Sequence, residues 1–93
     1  MIEVTGERLK VSGPMVIATA AELRDAGEAA LGGGASLVDL ADVTEADSSA
    51  VAVLLAWTRI ATERGQGLAI VGVPPGVRSL AALYGVAELL PLA

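Results

Sequence analysis

Cysteine, histidine and phenylalanine are missing from this 93-residue sequence, and tryptophan and tyrosine occur once each. The first two absences remove disulfides, thiolate nucleophiles, the usual zinc sites and every catalytic triad that needs an imidazole. The shortage of aromatic rings means that a chain 54% hydrophobic must build its interior from Leu, Val, Ile and Ala. Basic residues are also scarce, six against eleven acidic, for a formal charge of −5. Arg8, Lys10, Arg24, Arg59, Arg64 and Arg78 are dispersed. No basic stripe or stacking platform for nucleic acid results, nor a polybasic helix for anionic lipid. The most apolar run, Ala50 to Trp57, falls far short of the roughly 20 residues that cross a bilayer. The opening Met-Ile-Glu-Val-Thr-Gly lacks the basic and apolar regions of a signal peptide, so a cytoplasmic location is expected. Gly32-Gly33-Gly34 is not followed by Gly-Lys-Ser/Thr and does not link a strand to a helix, which argues against a phosphate loop.

The pattern that remains alternates strands with helices. Residues 2–5 and 8–12 read as a hairpin, with Leu9 and Val11 on one side and Arg8 and Lys10 on the other. Thr19-Ala-Ala-Glu22 has capping-box spacing and predicts a helix start, with Leu23, Ala26 or Gly27, Ala30 and Leu31 at helical spacing and the three glycines as its stop. Residues 36–40 read as a buried strand, 41–47 as a loop, and Asp47-Ser48-Ser49 as cap chemistry for a helix from Ala50 to Arg64. That helix is apolar around much of its circumference, so it is deeply buried or shares a face with a partner. Residues 68–73 predict another inner strand. Pro74-Pro75 open a last helix that stops near Gly85, and an apolar tail containing Pro91 folds back. The order ββαβαβα predicts one α/β domain over residues 1–93, with a small mixed sheet opened by a hairpin and about three helices. Such a sheet has helices enough to cover one face well and the other poorly.

The strand ending Val-Asp-Leu40, the segment Asp42-Val-Thr-Glu-Ala-Asp47-Ser48-Ser49-Ala50 and the leucine-rich helix after it resemble the central signature of STAS domains. That family includes anti-sigma factor antagonists and domains attached to sulfate transporters. The C-terminal segments Val77-Arg78-Ser79-Leu80-Ala81, Leu83-Tyr84-Gly85-Val86 and Leu90-Pro91 resemble, more narrowly, the STAS subunit of Mla-type phospholipid transporters. The resemblance is good over residues 36–93 and rests on element order before that. It implies a non-enzymatic subunit without a cofactor, which binds and stabilises the ATPase of an ABC transporter and, through it, the permease. That places the chain at the inner membrane through its partner. The alternative it implies is an anti-sigma factor antagonist controlled by phosphorylation of Ser48.

The resemblance implies partner binding through the loop and helix that begin at Asp47, by Asp47, Ser48, Ser49, Ala50, Val51 and Leu54. It also makes Ser48, which matches the phosphorylated position of the sigma-factor antagonists, the candidate phosphorylation site. Each has a plainer structural role available. Ser48 and Asp47 are good helix caps, and Ser49 is a first-turn residue with a solvent-facing hydroxyl. Ala50 departs from the glycine common in the family. Trp57 is equally suited to a binding hot spot and to a core, and Tyr84 to packing with its hydroxyl hydrogen-bonded. The carboxylates Asp39, Asp42 and Asp47 form no recognisable acid–base constellation. A further expectation is weak self-association into a homodimer through the exposed apolar face.

Overall fold

A computed structural model describes all 93 residues. The first two strands, β1 (Ile2–Thr5) and β2 (Arg8–Met15), form the expected hairpin, pairing antiparallel from Ile2↔Val11 to Thr5↔Arg8. Helix α1 (Ile17–Gly32) crosses over to β3 (Leu37–Ala46), which lies parallel to β2. Helix α2 (Ser48–Glu63) then leads to β4 (Ala69–Val71), parallel to β3, and α3 (Pro75–Leu83) follows. A 3₁₀ turn over Ala87–Leu89 opens the tail. The sheet order is β1-β2-β3-β4, and the α/β class and element order are those the sequence predicts.

Alternation along the strands decides which face is covered. Leu9, Val11 and Met15 of β2, Val38 and Leu40 of β3 and Ile70 of β4 are buried. They join Leu23 and Leu31 of α1, Val53, Leu54 and Trp57 of α2, and Val77 and Ala81 of α3 in one core. Side chains that alternate with these, Arg8, Lys10 and Ser12 on β2, face outward. The opposite sheet face is therefore open and polar. Its charges pair across strands: Lys10 Nζ lies 2.8 Å from Asp42 and Arg8 3.3 Å from Asp39.

Four boundaries differ from the sequence reading. Strand β2 continues through Gly13-Pro14 to Met15, because register shifts at Lys10/Ser12 and Gly13/Pro14 let the strand bend around the missing proline donor. With β2 that long, β3 has a partner out to Met15↔Ala46, so residues 41–46 are strand and not loop. Helix α1 begins at Ile17, and Thr19 is its third residue, not its cap. The Thr19 hydroxyl accepts from the Val16 N–H at 3.1 Å and donates to the Pro14 carbonyl at 3.0 Å. Strand β4 ends at Val71 because Gly72 turns with φ +64°, its backbone packed so closely on Ala41 and Asp39 that a Cβ would sit 2.9 Å from each.

The tail does fold back. Leu90 is buried, Leu92 bridges to Ile70, and the Ile70 N–H donates to the Pro91 carbonyl at 2.9 Å. It covers the edge of β4 as a short fifth strand would.

Candidate functional site at the joined helix starts

Because β2 and β3 run parallel, α1 and α2 begin at the same end of the sheet, beyond the strands' C-terminal ends. Open α/β sheets place binding sites at that end. Asp47 sits between the two helix starts. One carboxylate oxygen accepts from the Ser49 N–H at 2.8 Å and caps α2 as the sequence predicts. The other accepts from the Ile17 N–H at 3.1 Å, at the start of α1. A single side chain thus serves orphan donors of both helices. The Ser49 N–H above all holds the Asp47 carboxyl below the ordinary carboxylate value; desolvation opposes it, and the Ile17 N–H adds a lesser lowering.

Ser48, the first residue of α2, is exposed at this junction, and Ser49 is half-buried. The remaining residues assigned from the sequence point the other way. Ala50 and Leu54 are fully buried and Val51 is 4% exposed. This burial runs against their assignment to a partner surface and corrects it: all three belong to the core, so their side chains present almost no surface to a partner. Trp57 is likewise core, at 0% exposure, its indole N–H donating to the Arg24 carbonyl at 3.2 Å. Tyr84 is 54% exposed and its hydroxyl has no hydrogen-bond partner in the chain, which corrects its expected packing role. Asp39 is buried against Arg8 and the Ala41 N–H, whereas Asp42 pairs with Lys10, so the two carboxylates hold separate partners and do not share a site.

A feature the sequence reading missed adjoins Ser48. Ile17, Ala20 and Ala21 of α1 face Ala52, Val53 and Ala56 of α2 across an open apolar groove of about 330 Å³, with Arg24 at its far end. Ile17 stands at its near end, 77% exposed. The signal for the groove is a run of alanines at helical spacing on both helices. It becomes legible only once the helices are known to lie side by side.

The chain belongs to the family described as Mlab, STAS domain, whose model matches residues 2–91. Among solved structures, the anti-sigma factor antagonist SpoIIAA in its unphosphorylated form superposes with a TM-score of 0.72 at 17% identity, covering 100% of this chain and 86% of that one. An anti-sigma factor antagonist from Mycobacterium paratuberculosis gives 0.75 at 24% identity, covering 99% and 81%. A sulfate transporter family protein from Wolinella succinogenes gives 0.72 at 17%, covering 97% and 80%. At these identities the likeness is one of fold. No curated protein matches the sequence. No helix is long and apolar enough to cross a membrane.

Proposed function

We infer that this STAS domain works by docking onto a protein partner at the junction of α1 and α2, and that the partner is the ATPase of an Mla-type ABC transporter. The observation that carries the reading is the shared cap. Asp47 fastens two helix starts together with Ser48 exposed between them and an apolar groove beside them. The surface combines a rigid polar rim with an apolar centre, the usual anatomy of a protein interface. The family description supports the transporter, as do the C-terminal segments Leu83-Tyr84-Gly85 and Leu90-Pro91. The contact set differs from the sequence assignment. Asp47, Ser48 and Ser49 stay, Ala50, Val51 and Leu54 leave it, and Ile17, Ala21 and Ala52 enter.

Titration calorimetry of the purified chain with the cognate ATPase tests this. Ser48→Glu and Ala52→Trp should each weaken binding at least tenfold, whereas Glu63→Lys at the far end of α2 should not. Unchanged affinity in both of the first two variants refutes the site.

A second reading has its own support in the anti-sigma factor antagonists of the same fold. On that reading the partner is a kinase-type anti-sigma factor, and Ser48 is its substrate. A phosphate there adds about −1.5 to −2 charges beside Asp47, enough to repel a docked acidic surface. Incubation with such a kinase and ATP, followed by intact-mass measurement, separates the two. A phosphate gained by the wild type and not by Ser48→Ala selects the switch, and no gain counts against it.

A further inference from the structure

We propose that the α1/α2 groove binds a second copy of this chain, in a two-fold symmetric dimer that buries the docking surface. A symmetric interface must be complementary to itself, with the projection and the recess on one patch. This patch meets that condition. Ile17 projects at one end, 77% exposed, and the recess beside it is walled by Ala20, Ala21, Ala52 and Ala56, whose short side chains leave about 330 Å³ open. With the axis near Ala21, the Ile17 of each copy enters the other's groove, and alanine at the contact allows the helices to approach closely.

The charges obey the same symmetry. Asp47 lies at the groove's Ile17 end, bonded to the Ile17 N–H, and Arg24 lies seven residues further along α1, about 10 Å away. Rotation about Ala21 exchanges the two ends, so each Arg24 meets the partner's rim near Asp47, twice over. Arg24 has only a loose neighbour within its own chain, Asp25 at 3.6 Å, and both side chains are more than half exposed. A parallel, non-symmetric stacking would place like ends together and lose both contacts.

The contact is small. Two helices about 24 Å long present less than the roughly 800 Å² per partner of a standard interface, so the dimer is weak, with a Kd on the order of 100 μM. Weakness suits a surface that must be given up. Where the docking reading holds, the partner and the second copy compete for one face, and the dimer is the resting form.

The absence of cysteine gives a clean test on the full chain. Sedimentation equilibrium from about 5 μM to about 1 mM should show a monomer–dimer equilibrium that weakens with added salt. Ile17→Ser should raise Kd at least tenfold, and Arg24→Gln should remove most of the salt dependence. Neither side chain is buried, so circular dichroism should be unchanged. Under a mild oxidant, Ala21→Cys should form an inter-chain disulfide, whereas Val4→Cys on the open edge of β1 should not. A monomer throughout the range overturns the proposal, as does a dimer insensitive to Ile17→Ser or a cross-link at Val4 alone. Adding the ATPase tests the other reading separately: competition requires both, while a dimer that ignores the ATPase leaves the self-contact standing and removes the transporter partner.

Discussion

At the scale of single residues, the closest fit at any glycine is Gly27 against Trp57. A Cβ built on Gly27 would lie 2.1 Å from the indole, far inside contact distance, and the ring is boxed in at 0% exposure. The only large aromatic of an aliphatic core thus requires a position without a side chain opposite it. Gly27→Ala should destabilise by about 3 kcal/mol, the upper range of core overpacking, although alanine is intrinsically the better helix former. Thermal unfolding should register this as a fall in Tm on the order of 10–20 °C. An unchanged Tm would mean that α1 and α2 are not packed this tightly. The sequence left Ala26 and Gly27 as alternatives for the inward stripe; the structure selects Gly27, and the reason for glycine lies on another helix.

Asp47 makes a prediction about pH. Its folded pKa lies below the ordinary carboxylate value, since the Ser49 and Ile17 amides favour the ionised form. Its contribution is fully present above the unfolded pKa, about 4, and is lost as pH falls through the lower folded value. Asp47→Asn should lower Tm at neutral pH and flatten the decline of Tm between about pH 4 and pH 2. A parallel decline in both proteins would exclude the double cap. Lys10 behaves in the opposite sense. The hydrogen bond that its ammonium donates to the Asp42 carboxylate raises its pKa, so its contribution is full below about 10.5 and disappears as pH rises beyond the raised value.

Among the elements, those with a strong period were the most legible. Helix α2 and the buried halves of β2 and β3 follow directly from the spacing of Leu, Val and Ala. Misreadings occurred where tertiary partners overrule local chemistry. Thr19 and Glu22 imitate a capping box, yet the cap of α1 is Val16, three residues earlier, and Asp47, distant in sequence, supplies the acceptor for the Ile17 N–H. The outer half of β3 looks like a loop because it has run past the end of β4, leaving Asp42, Thr44 and Glu45 exposed. A strand needs only its neighbour's backbone, and β2 provides it. The tail is the opposite case, apolar enough to be read as folded back and held there by Leu90. Leu90→Ala should cost about 2–3 kcal/mol and speed hydrogen exchange at the Ile70 amide, which bonds to Pro91. Exchange at Ile70 no faster than in the wild type would show that the tail does not protect β4.

For the whole molecule, the alternation of strand and helix patterns gave the α/β class that the structure has, and left the working surface only half drawn. Asp47, Ser48 and Ser49 could be located because cap chemistry and family pattern coincide there. The groove could not, since it belongs to neither helix alone and its alanines read as ordinary helix formers. Burial then shows which part of the apolar circumference of α2 is covered and which is free. Val51 and Leu54 lie in the core, Trp57 packs on α1, and Ala52 is at the surface. The polar sheet face, with its paired Arg8–Asp39 and Lys10–Asp42, lies away from all of these.

The shared cap also makes the protein its own reporter. In a nitrogen-15-labelled sample, the Ile17 and Ser49 amides report on opposite oxygens of one carboxylate. Any ligand that disturbs Asp47 must therefore shift both resonances together. A ligand touching only one helix shifts one of them, so a single two-dimensional spectrum distinguishes engagement of the junction from contact beside it.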